Sequence, residues 1–214
     1  MNRDESGWLI VIPARLQSTR LPRKPLQMLG DVPLVVRVYQ NLAPLLARGA
    51  AATVATDSED VVNACRLHGV PTTLTAISHE SGTDRCAEAA SKSSHRYVLN
   101  VQGDEPFVSV KDLATLMATM EARAEIDMGT LAYPCNDQTL LNDPNAVKAV
   151  RAQDGRALYF SRASVPYDRD AGRGQLPFWL HLGIYAFRRQ RLLEFVKLAP
   201  SPLERLEKLE QLRA

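Results

Sequence analysis

An aliphatic run, Leu9-Ile10-Val11-Ile12, meets Pro13 and gives way to a loop dense in cations and hydroxyls. So short a run, rich in β-branched residues and bounded by a turn residue, reads as a strand buried on both faces. Proline cannot donate to a ladder, so the strand is expected to stop at Pro13. Beyond it come Arg15, Ser18, Thr19, Arg20, Arg23 and Lys24 with no acidic residue among them, and Pro22 and Pro25 stiffen the exit. A basic stretch alone is usually a solvated face. At the carboxyl end of a first strand, the same residues occupy the place where open α/β sheets bind polyanions. Phosphate binding is expected here. The loop achieves it without Gly-x-x-x-x-Gly-Lys-Ser/Thr or Gly-x-Gly-x-x-Gly, neither of which it contains.

The strand-and-turn theme then repeats. Pro33 to Ala43 reads as a helix begun by proline. Ala51–Thr56 is a strand, and the acidic start Asp57-Ser58-Glu59-Asp60 opens a helix to His68, stopped by Gly69. A third strand, Thr72–Thr75, leads to a loop, Ser78 to Arg85, that opens a helix and in which Gly82 permits close backbone approach. Tyr97–Val101 is a fourth strand, followed by a helix over Ser109–Ala122 and a strand over Met128–Tyr133. Repeated strand–helix–strand units of this length imply a mostly parallel sheet covered on both faces. Ala146–Arg151 and Arg156–Phe160 flank Gln153-Asp154-Gly155, a hairpin signal, and His181–Phe187 is a further strand. Two helices close the chain, the last opening with the capping box Ser201-Pro202-Leu203-Glu204. The fold class is therefore α/β, a mostly parallel central sheet with an appended antiparallel element, in one domain spanning residues 1–214.

Composition narrows the function. With 214 residues and 45% hydrophobic content, the chain can build one sizeable core. A net charge of +2 argues against a general nucleic-acid or membrane-surface role, and no run approaches the ~20 apolar residues of a membrane helix. Met1 to Gly7 lacks an apolar signal core, and Cys65, Cys86 and Cys135 form no Cys-x-x-Cys pair. The cysteines are expected to be packing residues of a reduced, cytoplasmic enzyme.

Further polar groups mark sites. Asn100-Val101-Gln102-Gly103-Asp104-Glu105-Pro106 ends a buried strand, and its two carboxylates beside a glycine offer the hard oxygen ligands of a magnesium–triphosphate site. As a βα turn it would need no function. Ser81-Gly82-Thr83-Asp84-Arg85 doubles as a helix N-cap. Arg162 carries a fork of donors suited to a carboxylate. Glu207 and Gln211 are four apart and are expected to share one face of the last helix, with Glu210 a partial turn away.

These motifs, in this order, resemble the 3-deoxy-manno-octulosonate (Kdo) cytidylyltransferase family of sugar-activating enzymes. The likeness runs from residue 8 to 213. It rests on Pro13 to Leu26, Ser81–Arg85, Val101–Pro106, Asn142–Lys148 with Leu158–Pro166, His181–Tyr185, and Pro202–Arg213. Arg23 departs from it, standing where the family usually has glycine. The resemblance implies a nucleotide-diphospho-sugar transferase-like, Rossmann-like fold. It also implies the transfer of CMP from CTP to Kdo with release of pyrophosphate, for lipopolysaccharide biosynthesis. Nucleotide-binding residues would be Pro13, Ala14, Arg15, Ser18, Thr19, Arg20, Lys24, Ser81, Gly82, Arg85, Gln102 and Gly103. Arg15, Arg20, Lys24 and Asp104 would carry the chemistry, with Asp104 holding Mg2+. Arg162, His181, Tyr185, Glu207, Glu210 and Gln211 would line the sugar site, His181 as a binder and not a base. The implied partners are CTP and Kdo, with no nucleic acid or membrane, in a homodimer. A CMP-sialic acid synthetase-type enzyme and an inactive nucleotide-binding homologue are the alternatives. The family's Gly-Val-Asp-Thr-Pro-Glu-Asp-Leu segment, whose first aspartate is a second metal ligand there, has no counterpart before Ala214, so slow turnover is expected.

Overall fold

The structure is a computed structural model and describes residues 7–16, 22–169 and 177–214. In chain order the strands are β1 (Trp8–Ala14), β2 (Met28–Leu29), β3 (Val32–Pro33), β4 (Ala51–Thr56), β5 (Thr72–Leu74), β6 (Tyr97–Asn100), β7 (Met128–Cys135), β8 (Lys148–Arg151), β9 (Ala157–Ser161) and β10 (Phe178–Arg188). The helices are α1 (Leu34–Asn41), α2 (Ala43–Leu46), α3 (Glu59–Leu67), α4 (Gly82–Ser91), α5 (Val110–Ala122), α6 (Gln138–Asn142), α7 (Arg189–Phe195) and α8 (Pro202–Glu207). They form two compact units. One comprises residues 1–129 and 184–196, the other residues 130–183 and 197–214.

In the first unit the strand order is β5-β4-β1-β6-β10, parallel except for the last member. Every residue of β1 is buried, as its unbroken apolar pattern demands. The sequence expectation that Pro13 stops this strand is corrected: β1 runs one residue further and pairs with β4 as far as Ala14↔Thr56. The reason is geometric. Val11 O accepts from Val101 N, so Val11 faces β6, and Pro13, two residues on, faces the same side. The ladder to β6 ends at Val11↔Asn100, so no partner asks Pro13 for the N–H it lacks. Helix α4 covers the sheet with Cys86, Ala87, Ala89 and Ala90, packed with Leu9, Val11, Val98, Phe187 and Leu192. Small side chains let the helix sit close to the strands.

In the second unit β8 and β9 form the expected hairpin, turning at Gly155 with φ 92°, and β10 continues the sheet through Trp179↔Ala149. A smaller core gathers Ala149, Phe160 and Leu209 with Trp179 and Leu212. A second expectation needs correcting here. Helix α8 ends at Glu207, because Lys208 adopts left-handed backbone at φ 54°, and Gln211 lies in a separate 3-10 turn, Glu210–Arg213. Glu207 and Gln211 therefore share no helix face. All three cysteines are free, and among the described residues no helix is long and apolar enough to cross a membrane.

Candidate active site

The first unit gathers its candidates where β1 and β6 end. A Cβ on Gly103 would stand 2.7 Å from Pro13 O, closer than real contacts allow, so this turn requires glycine. A Cβ on Gly82 would meet Pro13 Cγ at 3.3 Å and Gln102 Oε1 at 3.6 Å. Pro13, Gly82, Gln102 and Gly103 are thus brought together, with Ala14 buried at the end of β1. Arg15 donates from Nη1 to Glu80 O at 3.1 Å, linking the first loop to the loop before α4. Arg23, at φ 55°, opens the 3-10 turn Lys24–Leu26, and from it Lys24 Nζ reaches Asp104 Oδ2 at 2.5 Å. The Lys24 and Asp104 side chains keep 37% and 44% of their exposure, so this pair is open to solvent. Ser18, Thr19 and Arg20 lie outside the described residues.

Other groups shape the floor. Ser81 and Asp84 form a capping box at the start of α4. Arg85 is wholly buried. Its guanidinium pairs with Asp57 at 2.8 Å and donates to Thr75 Oγ1 and Ala76 O, so it ties the loop before α4 to the end of β4. Glu88 holds the same loop, accepting from Ala76 N and lying 2.6 Å from His79 Nε2. Lys92 and the Ala76 N–H lower its carboxyl to about 2. Asn100 Oδ1 accepts from Gln102 Nε2 at 3.2 Å, while Asn100 Nδ2 is buried without a partner among the described residues. Burial, and then the charge of Asp104, push the Glu105 carboxyl up. Among the described residues no three His, Cys, Asp or Glu side chains cluster to hold a metal. Asp104 beside Glu105 instead suits magnesium, which takes one or two carboxylates and completes its octahedron with water and phosphate.

The second unit holds most of the sugar candidates, and several are already engaged. The Glu207 carboxylate accepts from Ser161 Oγ at 2.7 Å, Arg162 N at 2.9 Å and Tyr159 OH at 3.2 Å. These bonds, the Arg162 N–H foremost, hold it below the usual carboxylate range. Arg162 spends its fork on carbonyls, donating to Glu207 O at 2.7 Å, Pro144 O at 2.8 Å and Lys208 O at 3.3 Å. Lys148, fully buried, donates to Asp143 O and Arg162 O, and burial lowers its pKa. His181 stands edge-on to Phe160 with Nε2 2.9 Å from Thr130 Oγ1, and burial lowers its pKa to about 4, so the ring is neutral. Gln211 is 7% exposed, and its Nε2 is buried with no partner among the described residues. Buried donors are almost always satisfied, so Gln211 and Asn100 each present an unused hydrogen bond. Glu210 lies 4.0 Å from Arg213 Nη2. Tyr185 belongs to the first unit, opposite Asn100 across the β6–β10 ladder.

Sequence reasoning passed over Asn100, Asp57 and Lys148 as site-builders. Two carried a signal. Asn100 is a polar residue ending an apolar strand, and Lys148 is a cation in a hairpin strand whose neighbours are apolar.

A family model described as cytidylyltransferase matches residues 9–214. The chain is 49% identical to a 3-deoxy-manno-octulosonate cytidylyltransferase of Gemmatimonas aurantiaca, over 96% of this chain and 81% of that one. It is 43% identical to one of Polynucleobacter necessarius, over 100% of this chain and 86% of the relative. A solved structure of CMP:2-keto-3-deoxy-manno-octonic acid synthetase complexed with CTP superposes with TM-score 0.90 at 38% identity, covering 97% of this chain and 84% of that one. With a match that takes in both units and relatives near half identical, this chain belongs to the cytidylyltransferase family, among its 3-deoxy-manno-octulosonate cytidylyltransferases.

Proposed function

We propose that the chain activates Kdo with CTP, giving CMP-Kdo and pyrophosphate for lipopolysaccharide biosynthesis in the cytoplasm. The observation that carries this reading is the convergence at the ends of β1 and β6. Glycine-tight contacts join Pro13, Gly82 and Gly103 there, and Lys24 lies against Asp104. The anomeric hydroxyl attacks the α-phosphorus in line and pyrophosphate leaves, with no covalent enzyme intermediate. Catalysis then rests on positioning and charge neutralisation. Arg15, Arg20 and Lys24 hold the triphosphate, and the Ser81–Gly82 turn with Gln102 faces the nucleoside. Asp104 would hold Mg2+, which when bound would supply a Lewis acid to neutralise charge on the phosphates. For the sugar, His181, Glu210 and Gln211 of the second unit, and Tyr185 of the first, are each able to hydrogen-bond a hydroxyl. Glu207 and Arg162, engaged within the second unit, act by holding β9 and the end of α8 in place. The family resemblance brings a homodimer with it, which sedimentation measures.

The test is nucleotide and sugar selectivity. A ligand bound only to the native state raises its melting temperature, so CTP with Mg2+ should stabilise the chain more than ATP or GTP. Pyrophosphate release should respond to Kdo and not to N-acetylneuraminate. Equal stabilisation by all three nucleotides would leave only a generic phosphate binder.

A further inference from the structure

The Lys24–Asp104 pair places two groups with different ligands in each other's way. Nζ stands 2.5 Å from Oδ2, and both side chains are half-exposed, so either can change partner without disturbing the core. Magnesium and manganese bind carboxylate oxygen at about 2.0–2.2 Å, so an ammonium at Oδ2 and a metal on the same oxygen exclude each other. The second carboxylate oxygen is no refuge, because it remains within Coulomb reach of the ammonium. A triphosphate supplies several negative charges, and Lys24 can transfer to them at little cost, since its departure breaks only an exposed ion pair. We infer that Lys24 is a gate on the metal site: it occupies Asp104 in the free protein and releases it when nucleotide phosphate draws the ammonium away. Free divalent metal then binds poorly before nucleotide, and Asp104 becomes available only as the reacting complex assembles. This rests on the assignment of Asp104 as the metal-facing carboxylate proposed above.

The probe is Mn2+ alone, titrated into the intact chain without nucleotide and followed by the electron paramagnetic resonance of the free ion. Lys24→Met keeps the side chain's length and removes its charge. It should bind Mn2+ about fivefold more tightly than the wild type, the ratio expected for an exposed ion pair, while metal-free CTP binding weakens. Lys24→Arg, which keeps a cation, should retain the weak wild-type Mn2+ affinity. Adding Asp104→Asn to Lys24→Met should erase the gain. Unchanged or weaker Mn2+ binding in Lys24→Met, or a gain that survives Asp104→Asn, overturns the gate. If CTP binding still falls in that variant, the proposed function stands without the gate. CTP binding untouched by Lys24→Met overturns the gate as well, because no phosphate then pulls the ammonium off. Failure of CTP selectivity over ATP and GTP strikes the proposed function alone.

Discussion

The charged groups at the ends of β1 and β6 and those around α8 are built on opposite plans. In the first unit, Lys24 and Asp104 share one contact at the surface, and each can accept a new partner at small cost. In the second, the Glu207 carboxylate takes three donors, Arg162 gives its guanidinium to three carbonyls, and Lys148 is buried between two more. A half-exposed pair has water to fall back on, whereas a buried donor left alone pays its full desolvation cost. The first arrangement suits exchange with a ligand, and the second suits holding a shape. Residues of equal charge and equal promise in the sequence thus divide into those left able to exchange partners and those already engaged within the fold.

The largest test of this contrast is Glu207→Ala. It strands the Arg162 N–H and two hydroxyls, and should cost about 2–3 kcal/mol of stability, visible as a fall in melting temperature of several degrees. Lys24→Ala should cost under about 1 kcal/mol. If the two variants lose equal stability, the contrast is broken.

A middle-sized test uses pH. The His181 pKa drops from its ordinary 6.5 to about 4 in the fold. Below pH 6.5 the unfolded chain therefore takes up a proton that the folded ring refuses, and stability falls with pH until about 4. Above pH 6.5 the contribution is fully present. His181→Gln should flatten the fall between pH 6.5 and 5, where few carboxylates yet titrate. An identical slope in both proteins would mean that the ring is not held neutral.

The smallest expected effect sharpens the contrast at the loop itself. Arg23 pays for left-handed backbone at φ 55° and pairs with Asp60 at 3.0 Å across exposed surface. Arg23→Gly relieves the backbone, roughly 1 kcal/mol, but loses a weak ion pair and frees the unfolded chain. The urea midpoint should move by the equivalent of less than about 1 kcal/mol. A loss above about 2 kcal/mol would make Arg23–Asp60 a true anchor and the loop less exchangeable than Lys24 suggests.

Much was legible locally. The strand at Ala51–Thr56, the hairpin about Gly155, the N-cap at Ser81, the capping box at Ser201 and the glycine-led approach at Gly82 all follow from short-range pattern. The misreadings were local too, and each failed on a neighbour. Whether Pro13 ends a strand depends on where β6 stops, and whether Glu207 faces Gln211 depends on the left-handed Lys208, which ends α8 and leaves Gln211 in a separate turn.

By itself the sequence determined the strand–helix alternation, the cationic first loop and the carboxylates after β6. These depend on periodicity, backbone preference and turn chemistry, which act over a few residues. The tertiary structure decided the partners. Lys24 meets Asp104 across 80 residues, Glu207 meets Ser161 across 46, and Arg85 meets Asp57 across 28. Charge and hydrogen-bonding capacity are properties of a residue. Which charge is spent inside the fold and which is left for a ligand depends on distance and burial, and those exist only once the chain has closed on itself.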